Sequence, residues 1–322
     1  MPVLHKDCLL TIYIATYNRM LLLSELLDLL SSEVSGLGEC RDQVEIVVSD
    51  NKSTDNTVEV VNKYIENEVV DRIVLNKKNL GADLNMLGAK INSRGRYVWL
   101  LCDDDIPING SINIILELIN IDNQAGLIYL DRIKEERSGG LISETALSSE
   151  QTGLVSSKSI IDIIGQDLIT ASCLVLDRQS FFGEFTLKYG YSGRYCAPLA
   201  LAIDAMSLNG NAYITKKPVV RYIYGDTSNW SVNWYWIWLV SIPMILVDAD
   251  TKFNSGKKTN ILVKVDYKKT LALLLMLKNK KAWPKINSDW FWMLFNLFTQ
   301  GRMYLYIVKA LIRKILGRDV NA

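Results

Sequence analysis

The stretch Tyr97–Pro107 does most to limit what this chain can become. Tyr97-Val-Trp-Leu-Leu101 is apolar; after Cys102 it delivers Asp103, Asp104 and Asp105, and it stops at Ile106-Pro107. A short apolar run closed by turn residues reads as a buried strand. Three carboxylates at the mouth of such a strand repel one another. They are stable there only when a cation or a dense set of donors neutralises them. Carboxylates with open positions favour hard cations, which commonly bridge to phosphate oxygens. The expectation is a metal–diphosphate site at the end of a sheet. The competing reading of the three aspartates alone is a solvated acidic turn.

The surrounding pattern decides between them. Leu9–Ile14 reads as a strand, and Asn18 can cap a helix whose Leu23, Leu26, Leu27 and Leu30 share a face. Val44–Ser49 is a second strand, followed by Ser53-Thr54-Asp55 and a helix carrying Val58, Val61 and Ile65. Arg72–Leu75 is a third strand, and a helix from about residue 82 carries Leu84, Leu87 and Ile91. Strand and helix alternate four times, which predicts an α/β fold with a mostly parallel sheet covered by helices. Ligands in such sheets lie outside the carboxyl ends of the strands. Thr16–Arg19, Asp50 and Asn51, Asn79–Asp83, and Asp103–Asp105 all fall at those ends. Four polar clusters at four strand ends converge on one cleft, which favours the metal–phosphate reading. Neither a Gly-x-Gly-x-x-Gly nor a Walker A sequence follows the first strand, so the usual dinucleotide and P-loop sites are not indicated.

Further on, Gly126–Leu130 reads as a strand, and the polar stretch 134–158 as a mobile surface segment. Leu168–Leu176 reads as buried, and Leu199–Met206 as a helix ended by Gly210. Tyr213–Thr215 and Val219–Tyr224 read as two strands split by Lys216-Lys217-Pro218.

Composition excludes other chemistries. The five cysteines form no CxxC pair, and the one histidine, His5, is near the N-terminus, so zinc and Cys/His or Ser/His catalysis are not expected. Scattered thiols suit the cytoplasm. Residues 1–7 lack the pattern of a signal peptide, and no stretch reaches the roughly 18–20 apolar residues of a membrane span. The net charge of +1 hides an asymmetry: residues 1–250 carry 21 Lys+Arg against 32 Asp+Glu, and residues 251–322 carry 15 against 3. The expected organisation is therefore a catalytic domain over 1–231 and a helical, aromatic and basic region over 232–322. In the latter, Tyr304, Ile307, Val308, Leu311, Ile312 and Ile315 share a face beside Lys309, Arg313, Lys314 and Arg318. This is the pattern of a helix lying in an anionic membrane interface, on the inner face of the plasma membrane. The bland alternative is a docked helix with a solvated basic face. Nucleic acid is not an expected partner, because acidic strand ends repel a phosphate backbone.

Ile14-Ala-Thr-Tyr-Asn-Arg19, Val48-Ser-Asp-Asn-Lys-Ser-Thr-Asp-Asn-Thr57, Asn79-Leu-Gly-Ala-Asp83 and Asp103–Asp105 resemble, in order and spacing, the motifs of family 2 glycosyltransferases with the GT-A fold. The resemblance covers roughly residues 8–230. Leu168–Arg178, Tyr191-Ser-Gly-Arg194 and Lys217-Pro-Val-Val220 with Gly225-Asp226 resemble more loosely the abequosyltransferase branch, whose members add a 3,6-dideoxyhexose to a lipid-linked O-antigen repeat unit. The resemblance implies a donor of the CDP- or UDP-sugar class, a polyprenyl-diphosphate-linked saccharide acceptor, and Mn2+ or Mg2+. It implies that Asp50 reads the nucleobase, that Thr16, Tyr17, Arg19 and Asn51 line the nucleotide pocket, and that Asp83 contacts the donor. Asn79 joins them or forms a helix-entry turn. Asp103 and Asp105 match the DxD pair that holds the cation, and Asp104 bonds a ribose or a backbone donor.

One departure matters. Where inverting members carry a Glu-Asp pair, this chain reads Arg194-Tyr-Cys-Ala-Pro-Leu199. Asp226, Asp204 and Asp167 are the candidates for the base that deprotonates the acceptor. Asp204 also reads as an ordinary helix residue and Asp226 as a turn former. A retaining mechanism needs no such base, so the stereochemistry stays open. Two other functions fit less well. A sugar-phosphate nucleotidyltransferase would show a Gly-rich basic loop where Ala15–Arg19 stands, and a non-enzymatic nucleotide- or nucleic-acid-binding protein would not keep its acids and its basic residues in separate halves.

Overall fold

The computed structural model describes residues 8–121, 125–136, 139–145, 147, 151–191, 196–224, 237 and 241–253. The chain divides into two compact units, Met1–Ser228 and Asn229–Ala322. In the second unit the described residues include one helix, Ile242–Phe253. The expected basic membrane helix and Asp226 lie outside the described residues. Among the described residues no helix is long and apolar enough to cross a membrane.

The first unit is built on a mixed sheet. Strand β1 (Leu10–Thr16) pairs in parallel with β2 (Val44–Asp50) on one side and β4 (Tyr97–Cys102) on the other. Strand β3 (Arg72–Leu75) extends β2 in parallel. The first crossover from β1 therefore runs one way, and β4 returns to its other side. The carboxyl ends of β1 and β4 flank the point where strand order reverses, where ligands bind in such sheets. Both strands are buried nearly throughout, which is why their sequences are continuous apolar runs. Helix α1 (Met20–Ser35) buries Leu23, Leu26, Leu27 and Leu30, the face its spacing predicts. Each such leucine contributes roughly 1.5–3 kcal/mol.

Beyond β4 the sheet departs from a simple parallel pattern. Strand β9 (Leu174–Asp177) lies antiparallel between β4 and β6 (Leu127–Glu136). The expected strand Gly126–Leu130 is thus longer, and β7 (Leu141–Ser143) pairs antiparallel with it. Strand β8 (Gly153–Ser156) pairs antiparallel with β10 (Asn211–Tyr224). Much of the stretch read as a mobile segment is sheet edge. The two strands expected around Lys216–Pro218 are the single strand β10, parallel to β6, with register shifts between Ile214, Pro218 and Val220. Proline has no N–H to give the ladder, so the strand bulges there and continues. The acidic stretch feeds directly into β5 (Ile106–Pro107), antiparallel to Val220 and Arg221 of β10.

The helix expected from residue 82 also differs. It is two pieces, α3 (Ala82–Leu87) and α4 (Ala89–Asn92), broken at Gly88. Its buried face in α3 is Asp83, Asn85 and Leu87, while Ile91 is 78% exposed. Asn85 is drawn inward because its amide donates to the carbonyls of Ser49 and Thr16 and its oxygen accepts from Ser49 Oγ. Helix α5 (Ser111–Ile121) follows β5, and Glu33 of α1 accepts N–H bonds from Gly110 and Ile112 at its start. Helix α6 (Ser157–Ile163) precedes two short 3₁₀ turns, Gly165–Ile169 and Ala171–Cys173. Helix α7 (Ala197–Asn209) ends at Gly210 with φ 71°, a left-handed stop that glycine takes without strain.

The amino end of β4 is fixed by close packing. Gly95 donates to Thr11 Oγ1, which donates to the buried Glu45. A side chain at Gly95 would place its Cβ 2.4 Å from the Thr11 nitrogen. Replacing Gly95 by alanine should therefore push β1 and β4 apart and cost roughly 1–3 kcal/mol or more. Urea denaturation of Gly95→Ala measures this, and an unchanged midpoint would show that the junction has slack.

Candidate active site

The pairing of β2, β1 and β4 sets Thr16 opposite Asp50 and Ala15 opposite Cys102, so these strands end at one level. The loops that follow are wired together. Asn18, in the left-handed region at φ 52°, accepts the N–H of Thr54, and its own N–H goes to Ser53 Oγ. The buried Asp50 accepts the N–H of Ser53. Asn51 donates to Asn79 Oδ1 and to the Gly81 carbonyl, and accepts from the Leu80 N–H. Asn79 Oδ1 also accepts from Gly81, so this side chain forms the turn that enters α3. Tyr17 is exposed at the rim.

Arg19 joins the first loop to the acidic stretch. Its Nη1 lies 2.8 Å from Asp103 Oδ1 and 2.7 Å from Asp104 Oδ2. Asp103 is buried, and burial pushes its carboxyl up to about 6 against the pull of Arg19. Asp105 is 3% exposed, and burial together with the charge of Asp104 pushes it up to about 8. Ser172 Oγ donates to Asp105 Oδ2 at 2.6 Å and itself accepts the Cys102 N–H, while the Ile223 N–H also donates to Asp105. These are the donors that a strand end with this much negative charge requires. With all three ionised, three carboxylates and one guanidinium leave two negative charges in place.

The donor set fits a hard divalent cation. Ligand atoms of Cys102, Asp104 and Asp105 all lie within 4.8 Å of one another. The Cys102 thiol is pushed well above its usual range by burial and by Asp105 and Asp104; a hard cation takes oxygen ligands, which Asp104 and Asp105 offer. The sequence expects Asp103 with Asp105; the structure places Asp104 beside Asp105, with Arg19 on both Asp103 and Asp104. A cleft of about 290 Å³ opens on all three aspartates, with Glu25, Glu135 and Glu136 among its walls.

Residues 11–153 match the model of the family described as glycosyl transferase family 2. The match covers less than half of the chain. The abequosyltransferase RfbV of Salmonella typhimurium is 33% identical over 125 residues, which are 38% of this chain and 36% of that relative. The chain thus aligns with about a third of that relative's length. Among solved structures, S. aureus TarS 1-349 in complex with UDP-GlcNAc has TM-score 0.55 at 15% identity, over 81% of this chain and 77% of that one. The mannosyltransferase PcManGT of Pyrobaculum calidifontis, in complex with GDP-Man and Mn2+, has TM-score 0.50 at 14% identity, over 96% of this chain and 88% of that one. The α/β fold is shared with both.

Several expected site residues make structural contacts as well. Asp83 Oδ1 accepts the Ala197 N–H at 3.0 Å and so anchors the first turn of α7. Asp204 accepts the N–H groups of Phe185 and Thr186, and a side chain at Gly183 would strike its carboxylate. Asp167 is ion-paired at 3.3 Å with the buried Arg132. Two residues that the sequence did not single out matter as much as the expected ones. They are Ser172, bonded to Asp105, and Arg132, whose charge pulls Asp105 down from across β6 and whose Nη1 holds Tyr129 Oη and Cys173 Sγ. The available signal for Arg132 was a charged pair, Asp131-Arg132, directly after the apolar run Leu127–Leu130.

The raised carboxyls of Asp103 and Asp105 make stability depend on pH. In the unfolded chain both titrate near 3.8, and in the folded chain near 6 and 8. Below about pH 4 their contribution is fully present. As pH rises towards 8 the unfolded chain gives up protons that the folded chain keeps, and stability falls. In chelator the urea midpoint of the wild type should therefore drop between pH 5 and pH 8 relative to Asp105→Asn. Parallel pH profiles for the two proteins would refute the shift.

Proposed function

We propose that the chain is a metal-dependent glycosyltransferase. It moves a sugar from a nucleoside-diphosphate sugar of the CDP or UDP class to a polyprenyl-diphosphate-linked saccharide in surface polysaccharide synthesis. The sugar moved is a 3,6-dideoxyhexose such as abequose, a choice supported by the abequosyltransferase similarity. The observation that carries the reading is the alignment of Thr16, Asp50 and Cys102–Asp105 at adjacent strand ends of the stretch that matches family 2.

In this reading Asp50 accepts a hydrogen bond from the nucleobase, from the N4 amine of cytosine or the N3–H of uracil. Thr16 and Tyr17 line the nucleotide pocket, and Asn51 with Asn79 holds its floor in shape. Asp104 and Asp105 hold Mn2+ or Mg2+, and Asp103 holds Arg19. When bound, the cation neutralises charge on the leaving nucleoside diphosphate. Arg19 adds a positive charge on the same side. Asp204 and Asp167 have carboxylates engaged by backbone N–H groups and by Arg132, which favours Asp226 as the base that an inverting reaction would need. The basic segment 302–322 holds the enzyme on the anionic inner face of the membrane, where such an acceptor resides.

Thermal melting with CDP, UDP, GDP and dTDP in Mn2+ tests the donor class, because a ligand of the folded state raises the midpoint. CDP or UDP should raise it; no response to any of the four would remove the nucleotide site. Asp105→Ala should lose transfer by on the order of a hundredfold or more, the scale reached by partners of metal ligands, without loss of fold. Wild-type turnover by this variant in chelator would sink the metal role.

The membrane reading has its own measurement. Replacing Lys309, Arg313, Lys314 and Arg318 by glutamine should release the protein from anionic vesicles, at about 1 kcal/mol per charge removed. Unchanged co-sedimentation would place the anchor elsewhere.

A further inference from the structure

Arg19 occupies the N-cap position of α1, where serine, threonine, aspartate or asparagine is the usual choice, and its side chain makes no capping bond. The Met20 N–H is satisfied by Asp55 instead. The guanidinium is directed across the crevice to Asp103 and Asp104. Both ion pairs run through Nη1, so the contact is one nitrogen deep. A phosphate can take a guanidinium by two parallel N–H bonds, the stronger and more directional form.

The oxygens that Arg19 holds are also wanted by a cation. Asp104 Oδ2 is its partner at 2.7 Å, and Asp104 belongs with Asp105 to the group that can ligate a divalent ion. A cation at Asp104 and Asp105 therefore contends with Arg19 for the same carboxylate and repels its charge at short range. Resting on the cation–diphosphate reading above, we propose that Arg19 couples the two ligands of this site. It serves as an internal counter-ion to Asp103 and Asp104, transfers to the phosphates of an incoming nucleoside diphosphate, and thereby opens Asp104 to a tightly held divalent cation. Cation and donor then bind well only together. By linkage, each tightens the other by the same factor. Arg19 acts here as a positioning residue: it determines when the carboxylates are available and makes no bond to the sugar that moves.

The sign of one measurement separates this role from the others open to an arginine in a donor pocket. Free Mn2+ is followed by electron paramagnetic resonance during titration of the full chain, with and without CDP or UDP. Arg19→Gln and Arg19→Met are compared with the wild type after circular dichroism has shown all three folded. Without nucleotide, both variants should bind Mn2+ on the order of tenfold more tightly than the wild type, within the usual range of coupling between sites. The tightening that nucleotide produces in the wild type should shrink in both. An unchanged nucleotide-free affinity would make Arg19 a phosphate ligand only, and a weaker one would make it a brace for the aspartates. Either result overturns the coupling. Absence of Mn2+ binding by all three proteins, even with nucleotide, would overturn the cation–diphosphate reading itself and the coupling with it.

Discussion

Three adjacent carboxylates at the closed end of a buried strand set the terms for the rest of this structure. Asp103 and Asp105 are each 5% exposed or less, and an isolated charge at that depth is not tolerated. What offsets them comes from every part of the first unit. Arg19 arrives from the loop after β1, Ser172 from the turn before β9, the Ile223 N–H from β10, and the charge of Arg132 from β6. The parallel half of the sheet and the mixed half are thus joined at one electrostatic knot. The same need for positive charge that organises the fold makes the site receptive to a cation.

The parallel half was legible because its signals are local. Short apolar runs, helical leucine spacing and turn residues at each exit define four strand–helix units without reference to anything distant. The clusters at the strand ends were legible for the same reason, since parallel order alone brings them to one edge. The mixed half was not. Leu168–Leu176 reads as buried, but nothing in its composition says that Leu174–Asp177 runs antiparallel between β4 and β6. Hydrophobicity reports depth; direction is fixed by the path of the chain on either side. The bulge at Pro218 likewise reads as a strand break until β6 is seen to pair on both sides of it.

Side-chain roles were least legible where the partner is far away in sequence. Asp83 looks like a donor contact because it follows Asn79 at a strand end, yet it holds the Ala197 N–H of α7. Asp204 looks like a base because it stands near the place where a carboxylate is missing, yet it fixes the turn at Phe185 and Thr186. Ser172 lies in the stretch Leu168–Arg178, whose resemblance gives it no role, and its importance comes from standing between Cys102 and Asp105. A motif tells which residue types lie near the chemistry. The hydrogen bonds already made tell which of them have lone pairs left for a ligand.

That distinction bears on the acidic stretch itself. By sequence Asp103 and Asp105 are equivalent ends of one motif, with Asp104 between them. In the fold they are not equivalent, because their neighbours differ. Asp103 has Arg19 to favour its ionised form, whereas Asp105 has a serine, a backbone amide and a distant arginine. Asp104, the least buried of the three, is shared between Arg19 and the pair that faces the cleft. Each arrangement of charge in the crevice therefore leaves one carboxylate in need of another partner. Arg19 reaches two of the three. In the proposed coupling a divalent cation on Asp104 and Asp105 displaces it from one, and a diphosphate is the acceptor that the displaced guanidinium then requires, so the group of charges is complete only when nucleotide and cation are present together.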